Sequence, residues 1–589
     1  MSAECEADTT GTPSHVSARS RHPFENPEMV IDEEAGPVGM THYEAGKSAY
    51  SMTSFIDSYR HVAFPHDDSI HEIHDRSIHD SASSIHGIAP PIYDTASQKT
   101  HDSITTLVAS QSGRKSFEST RTKSCKSPAC SNFSFGDYEF KTYESYLARR
   151  GNKLIPIPEL VDYWGLSGLR YIFFSTYKRL FTIVFLGNIA GLICVLCRHR
   201  TVEALSDVTA VNLAVNGLVR LPHITNQLYR IFCSLPRSWP IFLRRTAAKI
   251  SHFGGVHSGT GVAALFWYVS FCGVLTHEYI TQHSVSKALL GIAYSILGLL
   301  VAIVLAAFPL FRFMKHDTFE FTHRLGAWAV LALFWALIVE FAKDTRNLHD
   351  QSLGLLLLHL PNFYCALILT LALLTPWLTL KRVAVRPEVL SPHAIRLHFG
   401  FTTTGFSQGI SMSRSPWRDW HSFAAIPDPD NCVQFSCLVS KAGDWTSGVI
   451  KDPPSHLWVR GIPGIGFGYA CVMFRKVLLV ATGSGIGPCM SILACKTHPP
   501  LRIIWSTRSP RKTYGDGVMK LVAAADRNAI VLDTDEEGGR KDINALAWDV
   551  VKHEGIEAVF VVSKPQVTQK LVYMFESRGA PAYGPVFDS

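Results

Sequence analysis

The chain has 589 residues, 47% hydrophobic and 18% charged, with a mean hydropathy of +0.11. That length allows about three or four domains at roughly 150 residues each, and the apolar balance argues against a purely soluble protein. Thirteen cysteines are too sparse for a disulfide scaffold, and a net charge of +7 with no basic block gives nucleic-acid binding no support.

Residues 1–150 are rich in Ser, Thr, His and Asp and show neither apolar periodicity nor a signal-peptide pattern. Such a segment buries too little apolar surface to offset ordering and predicts a disordered cytosolic tail. It repeats Ser69-Ile70-His71, Ser77-Ile78-His79 and Ser84-Ile85-His86. Without cysteines or an ordered frame, this is first a polar tail that titrates near neutral pH and only second a metal binder.

From 166 to 380 long apolar runs dominate. A helix crossing about 30 Å of hydrocarbon needs roughly 20 apolar residues. Leu180–Cys197, Val262–Leu275, Ala288–Phe311, Leu325–Phe341 and Leu353–Leu378 meet that need with their flanks, and Leu205–Leu221 is a weaker sixth. Arg237, Arg244, Arg245 and Lys249 precede the third run, Arg312 and Lys315 follow the fourth, and Lys381, Arg382 and Arg386 follow the last. Alternating basic loops predict six spans with both termini cytoplasmic. The surrounding membrane, plasma or internal, is left open.

From 383 to 475, short β-rich runs (Ala394–Phe399, Val433–Val439, Leu457–Val459) punctuated by Gly and Pro predict a small barrel. From 476 to 589, apolar strands at Val477–Ala481, Leu501–Trp505, Ala529–Leu532 and Ala558–Val562 alternate with helical stretches, which predicts a parallel sheet with crossover helices. The fold class expected is thus multidomain: a disordered tail, an α-helical membrane bundle, a β-barrel and an α/β nucleotide-binding domain.

The sharpest local signal is Val477-Leu-Leu-Val-Ala-Thr-Gly483-Ser-Gly485-Ile-Gly487-Pro488. A strand runs into a Gly-rich turn and a helix start, with Pro488 suited to the first helical turn. Glycines admit a diphosphate close to the backbone, and the helix N-terminus offers it free N–H groups. This spacing is not the strict dinucleotide fingerprint, so alone it is a weak signal.

The string resembles the nicotinamide-binding turn of the ferredoxin–NADP reductase superfamily. Upstream, His421-Ser422-Phe423 resembles the flavin motif of ferric reductases and NADPH oxidases, with Ser422 in place of Pro. Gly443-Asp444-Trp445-Thr446 and Gly461-Ile462-Pro463-Gly464 are similar to further segments of those enzymes, as are Gly539-Arg540-Lys541-Asp542 and the closing Tyr583–Ser589. The resemblance implies FAD on His421, Ser422, Phe423, Gly443, Thr446, Gly461 and Gly464, with Phe587 near the flavin. It also implies NADP on Gly483, Gly485, Gly487, Pro488 and Arg508. NADPH is favoured over NADH because Arg508 and Lys512 can meet a 2′-phosphate and no acidic residue directly follows the strand ending at Trp505. One departure is Val562-Ser563-Lys564-Pro565, where the family usually has Cys or Gly in place of Ser563.

Such relatives stack two b-type haems between His pairs spaced 13 or 14 residues apart, which returns nearly to one helix face. Here His257 and His277 lie 20 apart, on opposite faces, and His323 has no partner at the family spacing. His257 and His323 share a depth and are the possible ligands of one haem b; otherwise they are interhelical hydrogen-bonders. The function implied is a ferric-reductase-like membrane flavoprotein. It would pass electrons from NAD(P)H through FAD to a small-molecule or metal-ion acceptor at or across the lipid bilayer. A superoxide-generating oxidase and a low-turnover redox sensor are the alternatives.

Overall fold

The computed structural model describes residues 140–159, 175–198, 201–283, 285–349, 352–428, 431 and 433–586. The Ser-Ile-His repeats and Phe587 lie outside them. Residues 140–150, expected in the tail, instead pack against the sheet: Lys141 bridges Ile530 in parallel, and a short helix α1 (Tyr143–Arg149) follows, capped by Thr142. Asp549, fully buried, gathers this segment. Its carboxylate accepts from the Tyr146 hydroxyl at 2.6 Å and from Ile155 N at 2.8 Å, and pairs with Arg150 at 3.3 Å.

The helical region comprises α2 (Thr176–Arg198), α3 (Val202–Leu218), α4 (Pro222–Phe232), α5 (Ile241–Ala247), a 3₁₀ segment (Ala248–Phe253) and α6 (Gly254–Thr281). It continues through α7 (Lys287–Ala306), α8 (Pro309–Met314), α9 (His316–His349), α10 (Leu353–His359) and α11 (Pro361–Leu378). Among the described residues five helices are long and apolar enough to cross a membrane, and α3 with α4 would make a sixth but for a 76° bend between them. Two of the expected runs are broken, because Pro309 and Pro361 have no N–H to continue a helix and each starts a new one. Glycines bring α6 onto α2: a Cβ on Gly255 would meet Tyr177 O at 2.3 Å. Inside, Asn188 Oδ1 accepts from Asn212 Nδ2 and Trp267 Nε1, joining α2, α3 and α6.

Two four-stranded antiparallel sheets form the barrel. Its strands are β1 (Lys381–Ala384), β2 (Arg386–Val389), β3 (Ala394–Phe399), β4 (Gln408–Ser413), β5 (His421–Ala424), β6 (Ile426–Pro427), β7 (Phe435–Ser440) and β8 (His456–Ile465). Their orders are β1-β8-β4-β5 and β2-β3-β7-β6. Alternate residues such as Ile395, Leu397, Phe399, Cys437 and Val439 fill the space between them. Helix α12 (Asp444–Lys451) lies between β7 and β8 in the chain.

The last unit is a five-stranded parallel sheet of β9 (Val477–Thr482), β10 (Leu501–Thr507), β11 (Ile530–Asp533), β12 (Ala558–Val562) and β13 (Ala582–Tyr583), in the order β11-β10-β9-β12-β13. The helices are α13 (Ile486–Leu493), α14 (Pro510–Ala525), α15 (Ile543–His553) and α16 (Pro565–Ser577). Both faces are covered, with Leu479, Trp505 and Phe560 in one core and Leu478, Ile504 and Val559 in the other. That is why these strands read as unbroken apolar runs rather than alternating ones.

Hydrogen bonds and ion pairs lock the helical region onto the two sheet units. Arg244, 3% exposed, donates to Met473 O and to Glu557, while Arg245 and Lys249 both reach Glu576. Arg237 donates to Val472 O, and Asn226 both donates to Pro463 O and accepts from Ile465 N.

Candidate functional site

After β9 the chain builds outward through β10 to β11, then returns to place β12 on the other flank of β9. In open α/β sheets, such a reversal opens a crevice outside the carboxyl ends of the two strands, where ligands bind. The Gly-rich turn occupies this place. Gly483 and Gly485 form one 3₁₀ turn directly after Thr482, and α13 begins at Ile486 with Gly487 and Pro488 in its first turn.

These glycines do different things. Gly483 has φ +50° and nothing within 4 Å of an added Cβ, so it leaves a cradle open. A Cβ on Gly485 would sit 2.1 Å from Val562 O, so that glycine is required by the packing of the turn on β12. A Cβ on Gly487 would make ordinary contact, 3.7 Å from Leu438 O. Trp505 Nε1 donates to Gly483 O at 3.0 Å and fixes the turn from below. Beside it the hydroxyls of Thr482 and Ser563 share a short hydrogen bond, and the Thr568 hydroxyl donates to Ser563 O. Ser563 thus stands at the strand end, held in place, where the sequence departs from its suggested family.

At the end of β10, Arg508 is 85% exposed and its Nε lies 3.9 Å from Asp535. Ser509, with φ +37°, donates its hydroxyl to the same carboxylate. An acidic partner therefore reaches Arg508 from the loop after β11, a contact that the residues following β10 do not reveal.

In the barrel, several of the expected flavin residues contact neighbouring protein groups. The Thr446 hydroxyl accepts from Ala442 N and Gly443 N and donates to Gly443 O, which closes the start of α12. The rings of His421 and Phe423 pack on Trp445, with centroids 4.5 and 5.6 Å away. Ser422 bonds Ser411, and Gly461 N donates to Thr379. Gly443 and Gly464 have open space beside them, which alone names no ligand. In the helical region, His257 and His323 do meet, with ring centroids 6.0 Å apart, and His257 Nδ1 lies 2.9 Å from Asn216 O. Among the described residues no group of three or more His, Cys, Asp or Glu could hold a metal ion.

Comparison with known proteins points elsewhere than ferric reductases. A family described as "Adenylate-forming reductase 03009, C-terminal domain" matches residues 467–589. Adenylate-forming reductase 03009 of Coprinopsis cinerea is 40% identical over 434 residues, covering 73% of this chain and 42% of that protein. Adenylate-forming reductase 06235 of the same organism is 38% identical over 435 residues, covering 74% and 42%. The chain therefore spans about 42% of the length of these relatives. Among solved structures, a flavohemoglobin from Malassezia yamatoensis is 15% identical over 65% of this chain and 98% of its own, with a TM-score of 0.31. The ferredoxin reductase of carbazole 1,9a-dioxygenase is 14% identical over 35% of this chain and 70% of its own, with a TM-score of 0.29. Scores this low carry no functional argument.

Several expectations are corrected by these matches. A match of 434 residues in a chain of this length takes in the helical region, so that region is shared with proteins named for adenylate-forming reduction. The ferric-reductase-like membrane flavoprotein, with its oxidase and sensor alternatives, is set aside. The FAD expectation goes with it, because the matched relatives lend it no support. The cytoplasmic-termini topology also loses its footing: Arg237, Arg244, Arg245 and Lys249, taken as charges facing the cytosol, are used to dock the helices onto the sheet units. Length and apolarity are necessary for a span and not sufficient, and they assign no membrane here. What agrees is coarser: several domains with a helical region and sheet-containing C-terminal units, and relatives whose names place them among oxidoreductases.

Proposed function

We propose that this chain is a dinucleotide-dependent reductive portion of an adenylate-forming-reductase type of enzyme, which converts an activated carboxylic acid to an aldehyde with NADPH. The observation that carries it is the open cradle of Gly483 in the crevice between the ends of β9 and β12, followed by the N-terminus of α13. Gly483 and Ser484 would admit the pyrophosphate, and the free N–H groups of Ile486 and Gly487 would face its charge. Arg508 and Lys512, both exposed at the adenosine end, would meet a 2′-phosphate, with Asp535 in competition for Arg508. Bound there, NADPH supplies the hydride that a carbonyl carbon accepts. Thr482 and Ser563 order the strand ends beside the transfer, and the hydroxyl that accepts in their mutual bond keeps its own proton available.

Titration of the full chain with NADPH and NADH, followed by its tryptophan fluorescence, to which Trp505 beneath the turn contributes, tests this. Gly483→Asp places a carboxylate in open space where the phosphates would lie. Its affinity should fall more than tenfold while the thermal transition stays near that of the wild type. Equal NADPH affinity of the two proteins would overturn the assignment.

A further inference from the structure

One loop at the outer edge of the parallel sheet is tied on two sides. It runs from Asp533, the last residue of β11, to Asp542, which caps α15. On its inner side it holds the end of β10. Asp533 Oδ1 accepts from Ser509 N at 2.9 Å and from Asp535 N at 3.1 Å, and Asp535 Oδ2 accepts from the Ser509 hydroxyl at 2.8 Å. Ser509 keeps φ +37° throughout, a left-handed conformation that these bonds hold against the crowding of its Cβ. The carboxylate fixed in this way lies 3.9 Å from Arg508 Nε.

On its outer side the loop is held by the N-terminal segment. Lys141 adds one residue to the edge of β11, donating to Ala529 O and accepting from Val531 N, both at 3.0 Å. Tyr143 N then donates to Glu537 Oε1 at 2.8 Å, and the Lys541 ammonium lies over the Tyr143 ring. Glu537 N donates to Asp533 O, so the turn carrying Asp535 is bound at once to this segment and to β10.

We infer that Asp535 sets the choice between NADPH and NADH, with the segment around Tyr143 as its positioning element; the inference rests on the proposed dinucleotide site. Two anions compete for one guanidinium. A 2′-phosphate, with a charge of about −1.5 to −2, cannot lie on Arg508 while Asp535 does. The 2′-hydroxyl of NADH is neutral and can donate to that carboxylate. Arg511 is no substitute, because it pairs with Asp516 at 3.5 Å. The free chain therefore has the NADH-selecting group in place, and NADPH gains Arg508 only by displacing it. Coupling between two binding events is reciprocal, so a 2′-phosphate that moves the loop must also weaken its hold on the Tyr143 segment.

Calorimetric titration of the full chain with NADPH and NADH tests the selectivity. Asp535→Asn keeps an oxygen for the Ser509 hydroxyl and removes only the charge. It should tighten NADPH about fivefold, the order of one like-charge contact in water, and should not tighten NADH. Asp535→Glu should keep the wild-type ratio of the two affinities. The gain in Asp535→Asn should shrink in 1 M salt, where screening reaches down to about 3 Å. Hydrogen exchange at the Tyr143 amide reads the positioning and needs no variant: saturating NADPH should quicken it, and saturating NADH should leave it as it is. An affinity ratio that is the same in wild type and Asp535→Asn overturns the inference, and a Tyr143 amide indifferent to NADPH overturns the role of the segment. If the wild type binds neither dinucleotide, the proposed function falls and this inference falls with it.

Discussion

The barrel and the parallel sheet both carry glycines and hydroxyls in motif-like strings, with open space beside Gly443 and Gly464 in one and beside Gly483 in the other, but only Gly483 lies where the strand order reverses. In the barrel, Thr446 spends its hydroxyl on Ala442 and Gly443, and His421, Phe423 and Trp445 bury one another's faces. At the carboxyl edge of the sheet, Gly483 leaves room that no protein atom fills. A string of residue types records that a turn is tight. It does not record whether the tightness serves the chain or a ligand, and only the surrounding atoms separate the two.

Four tests break or sharpen this contrast, the first with the greatest expected effect. Asp549→Ala should cost about 3–5 kcal/mol, since it strands Arg150, the Tyr146 hydroxyl and Ile155 N around a vacated buried carboxylate. Denaturant unfolding measures it, and cleavage by trypsin after Arg149 or Arg150 should speed up. Gly485→Ala should cost about 1–3 kcal/mol through the contact with Val562 O, against about 1 kcal/mol for Gly483→Ala from its positive φ alone. Equal losses at the two glycines, read from thermal melts, would erase the distinction between packing and cradle.

Thr446→Val should cost about 1–2 kcal/mol as a lost helix-start bond. NADPH affinity should be unchanged by it; a change would make the barrel part of the dinucleotide site. The smallest effect is on pH. Burial alone would raise Glu576, but the hydrogen bond from Arg245 and the charge of Lys249 outweigh it and hold the carboxyl below its usual range. Its folded pKa is depressed, so its contribution is complete above the ordinary glutamate value of about 4.3 and is lost as pH falls through the lower folded value. Below about pH 4 the wild type should therefore lose stability more steeply than Glu576→Gln, as melts across pH would show.

Sheet strands were legible in the sequence because parallel strands covered on both faces need continuous apolar runs, and Val477–Ala481 and Ala558–Val562 are such runs. The helix breaks were legible too, at Pro309 and Pro361, but apolar content drowned them. The basic residues misled for a physical reason: a Lys or Arg beside an apolar run has the same sequence signature whether it faces water or reaches a carboxylate over 300 residues away, as Arg244 does in Glu557. Asp535 escaped because it approaches Arg508 from the next strand rather than following it.

The bond from Tyr146 to Asp549 spans 403 residues. On a ribosome adding roughly 5–20 residues per second, the partner of Tyr146 emerges on the order of 20–80 s later. Until the strands from Val477 onward are made, Tyr146, Leu154 and Ile155 have no sheet to cover, while the apolar helices are made one after another between them and their destination. The segment around residue 146 is thus the first part of the described chain to be synthesised and among the last to find its place. Nascent chains stalled before residue 549 should leave it open to proteases or chaperones, and chains stalled well after that point should close it.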